Sequence, residues 1–403
     1  MRFLSITMLA MLLATYASSQ TNFIADFDHA RSLAKSESKL LFIDLYFEGC
    51  HPCEQMDRDV FPDEKVAAYL NGPFVAFKGD VFKELPAMKL ARKYATSGFP
   101  TFYILSPEGH TIDIVSGYKS AEELQTWLDT ALERNKNKQY LAFNTTLDNG
   151  YPEFYSNAYL KAERKISQET ISTFLSSSLS PLEDEVSFAV LAAFGNTQED
   201  HDFIFEHKEE LTKKYGQEII NKKLLAIMSR YAKTHGDKDD IDGFEAKLQS
   251  YIDHISSHEK ERMLPVILKT FFIQTNNPTW YFNRITQETA LNPIDQINAM
   301  GEILCLKGIM DSPSMVKEVQ SWLSQNLNTH PNSYFHAAMA AYYAKQNKLA
   351  QDRFREFETL TEGTHQTPIN LSSINSLREA ILSDSAPMEL AIKPLQAHKN
   401  YSK

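Results

Sequence analysis

The stretch FEGCHPCEQM, residues 47–56, sets Cys50 and Cys53 two residues apart in a chain that has 3 cysteines in all. Such a pair can serve as a metal clip, a structural disulfide, a haem attachment point or a redox centre. Covalent haem attachment requires His directly after the second Cys, where this chain has Glu54. A structural zinc site needs four ligands, and only Cys50, Cys53 and His51 lie close in sequence, with no second pair elsewhere. A disulfide across two residues closes too small a loop to restrict the unfolded chain much. A redox centre remains. It needs no cofactor and no metal beyond the Cys50/Cys53 couple itself.

The elements around the pair favour that chemistry. The apolar run LLFIDLYF (40–47) reads as a buried strand leading into it, and CEQMDRDVF begins a helix. Cys50 then stands at a helix N-terminus, where free N–H groups and the macrodipole stabilise a thiolate. Pro52 fits the first turn, where a missing N–H costs nothing. Further strands are predicted at 73–80, 101–106 and 110–118, the last two as a hairpin across Pro107-Glu108-Gly109. Helices are predicted at 26–38, 51–70 with a break near Pro62, 85–95 and 120–135, the last opened by a capping box of Ser120 and Glu123. The order gives an α/β sandwich around a mixed sheet.

Residues 22–138 resemble a thioredoxin-fold domain. The match rests on Cys50-His51-Pro52-Cys53, on Asp44 six positions before the first Cys, on GFPTF with Pro100, and on Gly117 before the last helix. The resemblance implies thiol–disulfide exchange. Cys50 attacks a disulfide as the thiolate, and Cys53 resolves the mixed disulfide. Asp44 is the expected proton acceptor for Cys53, because burial in a strand raises a carboxyl pKa, and Lys78 on the neighbouring strand is its candidate partner. The resemblance also implies a cis Pro100 against the disulfide, with Phe99 offering backbone hydrogen bonds to a substrate strand. Three positions depart from the family pattern. Gly49 replaces the usual Trp and is expected to leave Cys50 more open, Glu54 replaces the usual Lys, and His-Pro replaces Gly-Pro. His51 stabilises the Cys50 thiolate and Glu54 opposes it.

After Lys138 the pattern changes. Residues 139–155 are polar and turn-rich and read as a linker, and 156–403 read as stacked helical hairpins. Residues 331–364 resemble one divergent tetratricopeptide repeat through Tyr334, Ala338, Ala350 and Phe354, with Glu362 where that family closes on proline. The all-α part is expected to bind partners, and fragment 20–138 to fold without it.

The N-terminus has the three-part layout of a secretory signal peptide over residues 1–19: Arg2, an apolar run to about Ala14, then Ala17 and Ser19 before Gln20. Export is therefore expected, to the periplasm or, as the alternative, by secretion, with no membrane span after cleavage. The net charge of −11 argues against nucleic acid as a partner. The expected partners are protein disulfides or dithiols and an upstream redox protein. A binding or chaperone-like protein that uses the thioredoxin unit only for docking is the competing reading, and the intact cysteine pair argues against it. Cys305 lies among apolar residues and reads as an inert buried thiol. Asn144, Asn370 and Asn400 carry glycosylation sequons that matter only in a eukaryotic secretory pathway.

Overall fold

The computed structural model describes residues 20–253, 255–362, 369–383, 387, 388, 390 and 392; residues 1–19, expected as a signal peptide, and Asn400 lie outside them. The chain forms two compact units that part between Leu224 and Leu225, inside the helix Gln217–Gly236.

The first unit begins with β1 (Phe23–Ile24), α1 (Phe27–Ser36), β2 (Leu40–Tyr46) and α2 (His51–Gln55). The helix continues without a break into a π-turn, Met56–Val60, closed by the bond from Phe61 N–H to Met56 O at 2.9 Å. Next come α3 (Glu64–Asn71), β3 (Phe74–Asp80), α4 (Leu85–Lys93), β4 (Thr101–Leu105), β5 (Thr111–Ser116) and α5 (Ala121–Lys136). The sheet order is β1-β3-β2-β4-β5. β2 runs parallel to β3 and antiparallel to β4, and β4 is antiparallel to β5. This is the predicted mixed sheet, with β1 added at one edge. Central β2 is buried over Leu40–Leu45 because it is covered on both faces, which is why its sequence runs apolar instead of alternating. On one face Phe42 stacks on Phe102 at 5.6 Å, within a cluster that includes Phe23, Phe61 and Trp127. Both halves of the Ser120–Glu123 capping box are formed.

The segment 139–155, expected as a linker, lies inside the first unit. Its backbone docks through Leu141 N–H to Thr111 O at 2.8 Å and Ala142 N–H to Lys214 O at 2.6 Å. Phe143 is buried and meets Tyr94 edge-on at 4.9 Å. The segment's last residues, from Glu153, open α6 (Glu153–Leu160), followed by α7 (Gln168–Ser177), α8 (Glu185–Phe194), α9 (Gln198–Glu206) and α10 (Lys208–Tyr215), then α11, the helix Gln217–Gly236.

The second unit is all-helical. Its helices include Ser257–Thr275, Pro293–Leu304, Pro331–Tyr343 and Asn347–Thr361. The last two form the hairpin expected at 331–364, with Ala338 and Ala350 fully buried and Phe354 nearly so. Cys305 follows Leu304 and is half-buried, and burial pushes its thiol up to about 12, with Glu302 adding to the rise. The rise disfavours the thiolate, the nucleophilic form of the thiol.

Candidate functional site

β2 ends at Tyr46 and a short loop carries the chain to the cysteine pair. Gly49 has φ +83°, a conformation that favours glycine, and nothing lies where its Cβ would be. Cys50 N–H donates to Phe47 O at 3.2 Å, Cys50 is the N-cap of α2, and Pro52 lies in the first turn. Cys50 and Cys53 are joined as a disulfide. His51 is exposed and Glu54 is exposed. The openness expected at Cys50 is not found in this oxidised form, where Cys50 is 3% and Cys53 2% exposed. Gly49 frees the space beside its own Cα, not the sulfur. Any distinction between the cysteines therefore rests on their places in the helix, not on exposure.

The Phe99–Pro100 peptide is cis. Pro100 O accepts from Gly117 N–H at 2.8 Å, and Thr101 Oγ1 donates to Gly98 O at 2.5 Å, so both flanks of that loop are held. Phe99 is half-buried and meets Phe47 edge-on at 5.6 Å; Phe47 in turn meets Phe82 at 5.5 Å. Phe82, 61% exposed, was not anticipated from sequence. It is positioned by Asp80, a buried carboxylate that accepts from Phe82 N–H at 2.8 Å and from Glu48 N–H at 3.3 Å. One side chain thus ties the loop after β3 to the loop before Cys50.

Asp44 and Lys78 are register partners on β2 and β3, and their charged groups lie 3.3 Å apart. Asp44 is 1% exposed, and its Oδ1 has no hydrogen-bond partner. Burial pushes its carboxyl from the ordinary 3.8 to about 6; Lys78 opposes the rise and Asp57 adds to it. Between those pH values the folded chain binds a proton that the unfolded chain has lost. Stability from this group is therefore fullest below pH 3.8 and falls as pH rises through 6. Asp44→Asn should stabilise the protein at pH 8, by at most about 3 kcal/mol, and lose that gain near pH 4. Thermal unfolding of both proteins at the two pH values checks this, and an equal gain at both would rule out the titration as its cause. Among the described residues, no group of three or more His, Cys, Asp or Glu side chains is placed to hold a metal.

The fold and the cysteine pair define the class. Residues 27–132 match the model of a family described as a thioredoxin-like domain, and this part of the chain is such a domain. The solution structure of a thioredoxin from Thermus thermophilus aligns at 24% identity over 29% of this chain and 89% of that one, with a TM-score of 0.27. No curated protein matches the chain.

Proposed function

We propose that the chain is a thiol–disulfide oxidoreductase acting on protein disulfides, exported to the periplasm. The observation that carries the reading is the Cys50–Cys53 disulfide at the start of a helix that leaves the central strand of a thioredoxin-like domain. Reduced by a dithiol donor, Cys50 attacks a substrate disulfide as the thiolate. The Cys50–substrate bond forms and the first substrate thiolate leaves. Cys53 passes its proton to Asp44, attacks Cys50 Sγ and expels the second thiolate. Two electrons move from the cysteine pair to the substrate, whose two sulfurs take up protons, and the Cys50–Cys53 disulfide is restored. His51 beside Cys50 supports the thiolate, and Phe99 with Pro100 receives the substrate strand. The helical part binds partners, which include substrate proteins and an upstream redox protein.

The test is insulin reduction with dithiothreitol as donor. The wild-type protein should accelerate precipitation of the insulin B chain, and Cys50→Ser should run at the rate of dithiothreitol alone. Equal rates for the two proteins would overturn the reading.

A further inference from the structure

Asp57 lies four residues after Cys53, on the π-turn, and its carboxylate forms an ion pair with Lys78. Lys78 therefore stands between two carboxylates of opposite character. Asp44 is buried, whereas the Asp57 side chain is 48% exposed. The ammonium is also held by three rings, with its nitrogen 4.7 Å from the centroid of Tyr46, 5.5 Å from Phe61 and 5.6 Å from Phe23. Burial works against its charge, but the two carboxylates outweigh burial and keep Lys78 above its ordinary value. Lys78 is thus a fixed cation, and its charge is divided between its two partners. On the other side of Asp44 the register partner is Phe102, which carries no charge, so Lys78 and Asp57 are the charged groups that bear on it.

We propose that Asp57 is a positioning residue that shares Lys78 with Asp44, and so keeps the unpartnered Asp44 oxygen able to accept the Cys53 proton near neutral pH. The inference rests on the exchange reading above. Without Asp57, Lys78 would pair with Asp44 alone and hold it as a weakly basic carboxylate. The π-turn matters because it buries Met56 and Val60 while leaving Asp57 at the rim, where its carboxylate reaches Lys78.

The experiment follows Asp44 in the full-length oxidised protein by carboxyl carbon NMR, with the signal assigned by its loss in Asp44→Asn. Asp57→Asn should lower the Asp44 midpoint by about one pH unit, and Asp57→Glu should restore it. In a Lys78→Met background the effect of Asp57→Asn should shrink to less than half, because the shared cation is gone. The acid limb of insulin reduction should move down with the midpoint. An unchanged midpoint in Asp57→Asn would overturn the proposal, as would a full shift in the Lys78→Met background. If the wild-type protein fails to reduce insulin, the exchange reading falls, yet the titration still decides whether Asp57 acts on Asp44.

Discussion

Cys53→Ser should accumulate mixed disulfides between Cys50 and its substrates, whereas Cys50→Ser should accumulate none and reduce insulin no faster than free dithiothreitol. The argument is positional. Cys50 is the N-cap, at the end where the first backbone N–H groups of a helix continuous from His51 to Val60 lack intrahelical partners. A thiolate formed there is stabilised by those groups and by the helix dipole. Cys53 lies one turn in, past the N-cap position, and is itself buried. Exposure does not favour either residue, since both are buried in the oxidised form. Alkylation of the reduced protein with iodoacetamide, followed by peptide mapping, should therefore modify Cys50 first and lose that preference as pH rises above the ordinary thiol range. Faster labelling of Cys53 would reverse the assignment and make Cys50 the resolving residue.

The parts of this fold written in local pattern were legible in the sequence. The runs 40–47 and 73–80 are apolar because both faces of β2 and β3 are covered, and Ser120 with Glu123 spells a helix start in four residues. Asp44 and Lys78 were legible as a pair because they fall on adjacent parallel strands. Three features were not legible. Strand β1 has two residues, too few to alternate. The π-turn buries Met56 and Val60, and a spacing of four reads as ordinary helix, so nothing marked Asp57 as the partner of Lys78. Residues 139–155 have the polar, turn-rich composition of a linker. Their polar groups instead serve contacts with residues far away in sequence, which no local window detects.

Those distant contacts lead to the largest stability effect expected here. Lys93 at the end of α4 is 2% exposed and pairs with Glu185 of α8 at 2.7 Å, itself 5% exposed. Lys93 Nζ also donates to Thr146 O at 3.0 Å. Glu185 accepts from Asn144 N–H at 2.6 Å and from Tyr151 Oη at 2.8 Å. Beside it Arg92, 5% exposed, pairs with Asp148 at 2.5 Å and donates to Leu147 O at 2.8 Å, and its carbonyl accepts from Tyr155 Oη at 2.7 Å. Two cations of the thioredoxin-like domain are thus neutralised by groups that lie beyond residue 138. Burial already lowers the Lys93 pKa, with Glu185 holding it up. Glu185→Ala should cost about 3–5 kcal/mol, the range for removing one partner of a buried pair. The double variant Lys93→Met/Glu185→Leu should cost less than Glu185→Ala, because no buried charge is then left alone. Fragment 20–138 should fail to fold, contrary to the independence expected from composition, while fragment 20–236 retains every partner named here. Circular dichroism and urea titration of the two fragments and the two variants decide the matter. A cooperative, native-like transition in fragment 20–138 would show that Arg92 and Lys93 reach water once the helices are gone, and that the network is a local contact with no part in completing the core.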